Sequence, residues 1–423
     1  MIVAGDQQLL KRLNRMALVR QVASTPGLSR AALADTVGLT KSTVSLLVRA
    51  LIDEGWLTES DARTTGALGR RATPLHLDGS RLALLGADLG IAAARIVATN
   101  LLGEVLAEQE LPYASATDAS HCIAQMAAGL VALATAPALA GRTVLGVGAG
   151  LHGVVDDASG MLLHAPHQGW RTIDVAGQLR AHFAGTALAG LPLFLQNEAN
   201  VAALAELEFC GARGADPLIY LSINYGVGAG IIVNGRLLTG LFGFAGEVGH
   251  TILQQGGPLC SCGRRGCADA LIGLQALMDE VYGKRQLSTP ELLEQLFRQA
   301  DAGDARAAAA VAAASRHLGV LLNNLWVAFD PMCIVIGGAA LRLGERLIAP
   351  GRAVLDECAL ATQLTAPTVR APRFGDNAIA IGGAAMARHY LMHPFDSQDP
   401  VRRHSGKLGE LSPALAASLH TWN

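Results

Sequence analysis

The chain contains no run of about eighteen apolar residues free of charges and helix breakers, so no membrane-spanning helix is expected. An apolar core behind the first residues is missing too. "MIVAGDQQLLKRLNRM" is charged and amphipathic, unlike a secretory signal. Cysteine is sparse and odd in number, seven in 423 residues, with no framework of spaced pairs. That excludes a disulfide-stapled domain and leads us to expect a reducing cytoplasm. No excess of one charge exists: 33 Lys and Arg face 35 Asp and Glu, so the whole chain gives no hint of a polyanionic partner. Apolar side chains, by contrast, make up 51% of the residues, which excludes disorder and allows more than one core. Alanine-rich runs such as "ARAAAAVAAASRHLGVLLNNLWVAF" read as buried helices, because charges and Asn interrupt them.

The near-neutral total hides an uneven distribution. Residues 1–80 hold ten Lys and Arg against seven Asp and Glu, while the remainder is net negative. Within this basic segment, "LSRAALADTVGLTKSTVSLLVRALIDEGWL" predicts two short helices and a turn. Ser29 suits the N-cap of a first helix ending at Val37, and Gly38 suits its left-handed C-terminus. Thr40 caps a second helix from about Lys41 to Glu54, where Val44, Leu47, Val48 and Leu51 make one apolar face. Ala34 gives the small side chain that two helices crossing at a tight turn require. Lys41, Ser42, Thr43 and Ser45 fall at the exposed start of the second helix, where short hydroxyls and one Lys suit base edges in a major groove. "WLTES" and "ATPLHL" then read as two strands joined by a basic wing. Its Arg70 and Arg71 are candidates for phosphate or minor-groove contacts. Cap, turn, helix face and wing agree on a winged helix-turn-helix.

From Arg81 the pattern changes. "RLALLGADLGIAAARIVATNLLGEVLAEQEL" reads as three strands with turns, "TVLGVGAGLHGVVD" as a buried strand followed by glycines, and "LIYLSINYGVGAGIIVNGRLLTG" as another strand–turn–strand with an Asn-Gly turn. The repetition suggests two related α/β lobes facing a cleft. "CIVIGGAA" (333–340) and "AIAIGGAA" (378–385) are expected to be short buried strands ending in paired glycines.

Taken in order, the helix-turn-helix, "GADLG", "QNEANVAALAE", "GEVGH", "CSCGRRGC" and "IVIGGAA" resemble the ROK family of repressors, open reading frames and sugar kinases. The resemblance runs from about Gln7 to Arg388. It implies an α/β chain: a winged head at 1–80 and a two-lobed, actin-like and ribonuclease-H-like sugar-kinase fold. The first lobe is expected at 81–196, completed by 379–423, and the second at 197–378. "GDQQLLKRLNR" and "NEAN" are most similar to xylose-responsive members.

His250, Cys260, Cys262 and Cys267 supply one imidazole and three thiolates, a set that satisfies a tetrahedral structural Zn²⁺ with no position left open. All four match the family's zinc ligands. A bridge between Cys260 and Cys262 would be badly strained. The resemblance further implies that Asn197, Glu198, Glu247, His250 and Asp269 contact sugar hydroxyls, His250 using the nitrogen that the metal leaves free. Asp269 stands where the family usually has Glu. Trp170 is a candidate to stack on an apolar sugar face.

Phosphoryl transfer would need phosphate loops of the forms D-x-G-G-T and G-T-G-x-G-G-G. Here they read "DLGIAAA" and "NYGVGAG", without the Thr hydroxyls, and Glu198 replaces the kinase Asp. No catalytic residue is therefore expected. The sequence reads as a cytoplasmic, sugar-responsive repressor that binds operator DNA as a homodimer or dimer of dimers. Xylose is its leading effector, and a ROK sugar kinase with an appended head is the alternative.

Overall fold

A computed structural model describes residues 7–60, 73–210, 215–241, 243–283 and 290–393. The chain opens with α1 (Gln7–Ser24), α2 (Arg30–Val37) and α3 (Lys41–Asp53), followed by the antiparallel pair β1 (Leu57–Glu59) and β2 (Leu75–Leu77). The capping chemistry is as the sequence predicts. The Ser29 hydroxyl accepts from Ala32 N–H, the Thr40 hydroxyl accepts from Thr43 N–H, and Gly38 sits at φ 70° with its N–H on the Ala34 carbonyl. Met16, Leu18, Val19, Leu33, Val44, Leu51, Leu57 and Leu75 form the core of this head.

The body begins with β3 (Leu82–Leu89), β4 (Ala93–Asn100), β5 (Val105–Pro112), α4 (Ala119–Ala134) and β6 (Thr143–Leu151). A small sheet of β7 (Val154–Asp156), β8 (Met161–Ala165) and β9 (Trp170–Asp174) follows, then α5 (Val175–Phe183), β10 (Leu193–Asn197) and α6 (Glu198–Phe209). Next come β11 (Leu218–Ile223), β12 (Val227–Val233), β13 (Arg236–Leu237), α7 (Asp269–Ile272), α8 (Leu274–Tyr282), α9 (Pro290–Asp301) and α10 (Ala305–Phe329). The described chain ends with β14 (Cys333–Gly337), α11 (Glu345–Thr362), β15 (Thr368–Arg370) and α12 (Ala378–Met392).

The suggested repetition is visible in the sheets. One is ordered β5-β4-β3-β6-β10 and the other β13-β12-β11-β14-β15. In each, the first three strands are antiparallel and the last two run parallel to the first. Asn234 and Gly235, at φ 54° and 68°, make the β12–β13 hairpin turn.

Between the two sheets lies a layer made of α6 and α12. Leu82, Leu84 and Val97 of the first sheet and Leu218, Tyr220, Ile232 and Val335 of the second reach into it, while their strand neighbours face the outer helices. The central strands β3, β11 and β14 are thus buried on two faces, which explains why they read as continuous apolar runs.

Residues 378–385 are a correction. They open α12 rather than forming a strand. A short apolar run does not distinguish a buried strand from a buried helix. Here the glycines serve helix packing: a Cβ on Gly382 would strike the Val201 carbonyl of α6, and one on Gly383 the Gly148 carbonyl of β6. Only glycine lets α12 approach both backbones so closely.

Candidate functional site

The C-terminal ends of β3, β6 and β10 converge on a polar cluster, where the sequence leads one to expect the cleft. Asn197 ends β10 and caps α6, its Oδ1 accepting from Ala199 N–H at 2.8 Å. Its Nδ2 donates to the Gly153 carbonyl at 3.0 Å and to Glu198. Both ends of the Asn197 amide are therefore engaged, and it holds Glu198, the first residue of α6, in place. Burial pushes the Glu198 carboxyl above its ordinary value, partly opposed by the charge on His152. His152 was not predicted as a site residue. Its Nε2 lies 2.9 Å from Asp88 Oδ1, with the two side chains 13% and 6% exposed. Burial disfavours charge on the ring, but the Asp88 carboxylate, its hydrogen bond and Glu198 outweigh this and hold His152 up at about 9. No local pattern announces the pair, since its members are 64 positions apart.

The second sheet supplies the opposite wall. Glu247 and His250 bracket a 3-10 turn, with His250 Nε2 4.0 Å from Glu247 Oε2. Burial and the charges of Glu198 and Asp269 push Glu247 up to about 7, so these three carboxyls belong to one electrostatic group. Asp269, at the start of α7, accepts from Val227 N–H through Oδ1 at 2.8 Å. A Cβ on Gly226 would come within 2.6 Å of Asp269 Oδ1 and 3.4 Å of His167 Nε2, so a bare glycine leaves those two side chains their space. The structure thus brings Asn197, Glu198, Glu247, His250 and Asp269 near one another. Trp170 does not join them. It is 4% exposed, packed in the first lobe's core, with its Nε1–H on the Thr117 carbonyl. Its apolar ring was taken into β9 packing, so it offers no face to a ligand.

Behind His250 stands the cysteine cluster. His250 Nδ1 is 3.6 Å from Cys260 Sγ, Cys262 Sγ is 3.7 Å from Cys267 Sγ, and all four ligand atoms lie within 4.8 Å of one another. Zinc bonds of about 2.3 Å to sulfur and 2.05 Å to nitrogen give tetrahedral edges of about 3.8 and 3.5 Å. The donor set therefore fits a tetrahedral divalent ion, and the sulfurs are far beyond disulfide length. Gly263 and Gly266, at φ 82° and 75°, make the turns that return Cys267 to the cluster. Since Nδ1 faces the thiols, Nε2 of His250 faces the cleft.

The head presents the start of α3. Lys41 and Ser42 are exposed, while Thr43 and Ser45 are half-buried. The Thr43 hydroxyl lies 2.8 Å from that of Thr40, within the cap, and the Ser45 carbonyl accepts from Arg30 Nη1. Leu46, on the same helix, is 69% exposed and was overlooked. It falls out of phase with Val44, Leu47, Val48 and Leu51, which was the available signal. Arg70 and Arg71 lie outside the described residues.

Comparisons with known proteins agree with this division. A winged helix-turn-helix DNA-binding model matches residues 12–58, and the ROK family model matches residues 84–390. The xylose repressor of Caldicellulosiruptor bescii is 28% identical over 394 residues, covering 90% of this chain and 97% of that protein. Among solved structures, a ROK family transcriptional regulator homologous to the Escherichia coli MLC protein aligns with TM-score 0.74 and 24% identity, over 93% of this chain and 99% of its own. That likeness bears on the fold alone. A ROK glucokinase from Streptomyces griseus, solved with glucose and AMPPNP, aligns with TM-score 0.60 and 26% identity, over 73% of this chain and 99% of its own. From Leu84 in β3 to Tyr390 in the last turn of α12, behind a DNA-binding head, the chain belongs to the ROK family.

Proposed function

We propose that the chain is a sugar-responsive repressor: its winged head binds operator DNA, and a small sugar in the cleft releases it. Xylose is the first candidate, in line with the name of the Caldicellulosiruptor relative. In this reading Glu198, Glu247, His250 and Asp269 accept and donate to sugar hydroxyls, with Asn197 orienting Glu198. Lys41, Ser42, Thr43 and Ser45 meet the major groove, and Arg70 and Arg71 meet phosphates or the minor groove. His250, Cys260, Cys262 and Cys267 hold structural Zn²⁺, which fixes the loop that carries Glu247 and His250. The working units are residues 1–80, 81–196 completed by 379–423, and 197–378. The protein acts in the cytoplasm as a homodimer or dimer of dimers. Val327 on α10, Leu360 on α11 and Leu364 just beyond it, at 78%, 79% and 64% exposure, favour a second copy there.

The observation that supports repressor over kinase is that polar groups at both phosphate-loop positions are engaged by other segments of the protein. Asp88 is engaged by His152 at 2.9 Å. In the other loop Asn224 Oδ1 accepts the Ala339 N–H at 2.7 Å, so this backbone donor is not open to a phosphate. Phosphoryl transfer depends on such free donors and on a carboxylate able to hold a metal ion.

Glu198→Gln tests the reading. It keeps the shape but removes the charge and one acceptor. A charge-assisted hydrogen bond contributes roughly 1.5–3 kcal/mol, so sugar affinity should fall about ten- to a hundredfold. Operator affinity without sugar should stay near wild type in gel-shift titrations. If wild-type protein instead converts sugar and ATP to sugar phosphate, and the variant does not, the kinase reading replaces this one.

A further inference from the structure

α6 and α12 run side by side, and each connects the cleft to the head. α6 starts at Glu198 in the cleft and carries Glu208 near its other end. α12 starts where Ile379 meets Gly150 of the cleft strand β6 and ends at Met392. Between these ends their contact is close and low in relief, with Gly382 set against the Val201 carbonyl and the Ala202 N–H.

At the head end the two helices are clasped by charge. Glu208 Oε2 accepts from Arg388 Nε at 3.0 Å and Nη2 at 2.8 Å, and Glu208 Oε1 lies 2.9 Å from His389 Nδ1. The Glu208 and Arg388 side chains are 2% and 5% exposed. Burial alone would raise the Glu208 carboxyl, but Arg388 and His389 hold it well below the usual carboxylate range, so the carboxylate stays ionised. A buried ion pair of this kind adds little net stability, since desolvation cancels much of the attraction; in some proteins such a pair fixes one arrangement over another. One turn further on, Met392 is fully buried, not in the body but in the head's core with Met16, Leu18 and Val19. The Met392 carbonyl accepts from Arg20 Nη1 of α1 at 2.6 Å. A cavity of about 590 Å³ borders the same joint, lined by Arg20, Val37, Glu208, Arg236 and His393, so the head is not packed solid against the body on that side.

We propose that the Glu208–Arg388–His389 clasp, with the Arg20–Met392 contact beyond it, transmits occupation of the cleft to the DNA-binding head. Glu208, Arg388 and Arg20 are positioning residues: they touch neither sugar nor operator. A ligand that draws on Glu198 displaces the first turn of α6. The helix is 12 residues, about 18 Å, and moves as a unit. Its small-residue contact with α12 lets it slide without rotamer changes. The clasp then pulls the last turn of α12, and Met392 carries the shift into the head's core. The size of the response is bounded by the sugar's differential affinity for the two arrangements.

The inference rests on the cleft being the sugar site, and the test separates the two. Full-length protein is titrated with D-xylose, or with whichever free pentose or hexose gives the largest thermal shift, by calorimetry. It is also titrated with a duplex selected in vitro for binding, with and without saturating sugar. The ratio of the two operator Kd values is the coupling factor, expected on the order of ten or more for wild type. In Arg20→Ala and in Glu208→Gln, sugar Kd should stay within about threefold while the coupling factor drops at least about fivefold; Arg20→Lys should retain it. Because a ratio is read, a change in basal operator affinity cancels. Wild-type coupling in both variants overturns the inference while leaving the cleft assignment standing. Failure of wild type to bind any sugar overturns the cleft assignment and this inference with it.

Discussion

A protonated imidazole between two carboxylates gives His152 a titration that the protein as a whole should feel. Its folded value of about 9 lies above the ordinary 6.5. A cation whose value is raised on folding contributes stability fully below the unfolded value and loses it as pH rises through the folded one. Between pH 6.5 and about 9 the unfolded ring has shed its proton while the folded ring keeps it, so stability should decline across that window. Thermal midpoints measured at half-unit steps should fall in wild type, and His152→Gln should flatten the decline. An unchanged slope in the variant would remove the ion pair from the account. Glu198 and Asp88 both face the ring, so its charge is also what keeps the buried end of the cleft from being purely acidic.

At the level of single elements, α12 depends on the absence of side chains. A Cβ on Gly383 would collide with the Gly148 carbonyl and come within 3.1 Å of Ala87 N, both backbone atoms of the first sheet that cannot rotate away. Overpacking a core costs about 1–3 kcal/mol even where side chains can adjust. Gly383→Val should lower the thermal midpoint by roughly several degrees, and Gly383→Ala by less. A Val variant as stable as wild type would show that the helix does not sit against β6. This element was also the hardest to read from sequence. "AIAIGGAA" carries no periodicity, and its Gly pair suits a strand end or a helix contact equally. α2 and α3 were readable almost to the residue because caps, turn glycine and apolar phase are all local signals. The four residues of the Cys/His cluster were readable for the same reason, lying within eighteen positions. Trp170 and His152 were not, because exposure and pairing at those sites are set by segments 53 and 64 residues away.

Across the whole molecule, the Cys/His cluster and the DNA-binding surface stand on different parts of the chain. His250, Cys260, Cys262 and Cys267 organise one wall of the cleft, whereas the head's core draws on α1, α2, α3 and Met392. Structural zinc can contribute on the order of 10 kcal/mol of folding free energy, most of it felt locally. Cys262→Ser should therefore abolish the sugar response first, with operator binding persisting. Purified wild-type protein should contain near-stoichiometric zinc by elemental analysis. A metal-free wild type that still responds to sugar would dispose of the assignment.

The burial of Met392 in the head has a consequence for inheritance and engineering. The winged unit looks detachable in the sequence, a cassette ending near residue 80, yet one wall of its interior is supplied by a residue more than three hundred positions later. Grafting the head of one relative onto the body of another, or expressing it alone, leaves an apolar hole unless the last turn of α12 travels with it. Drift in α1 and drift at the end of α12 are therefore tied, and the two ends of the described chain have to be exchanged as a pair.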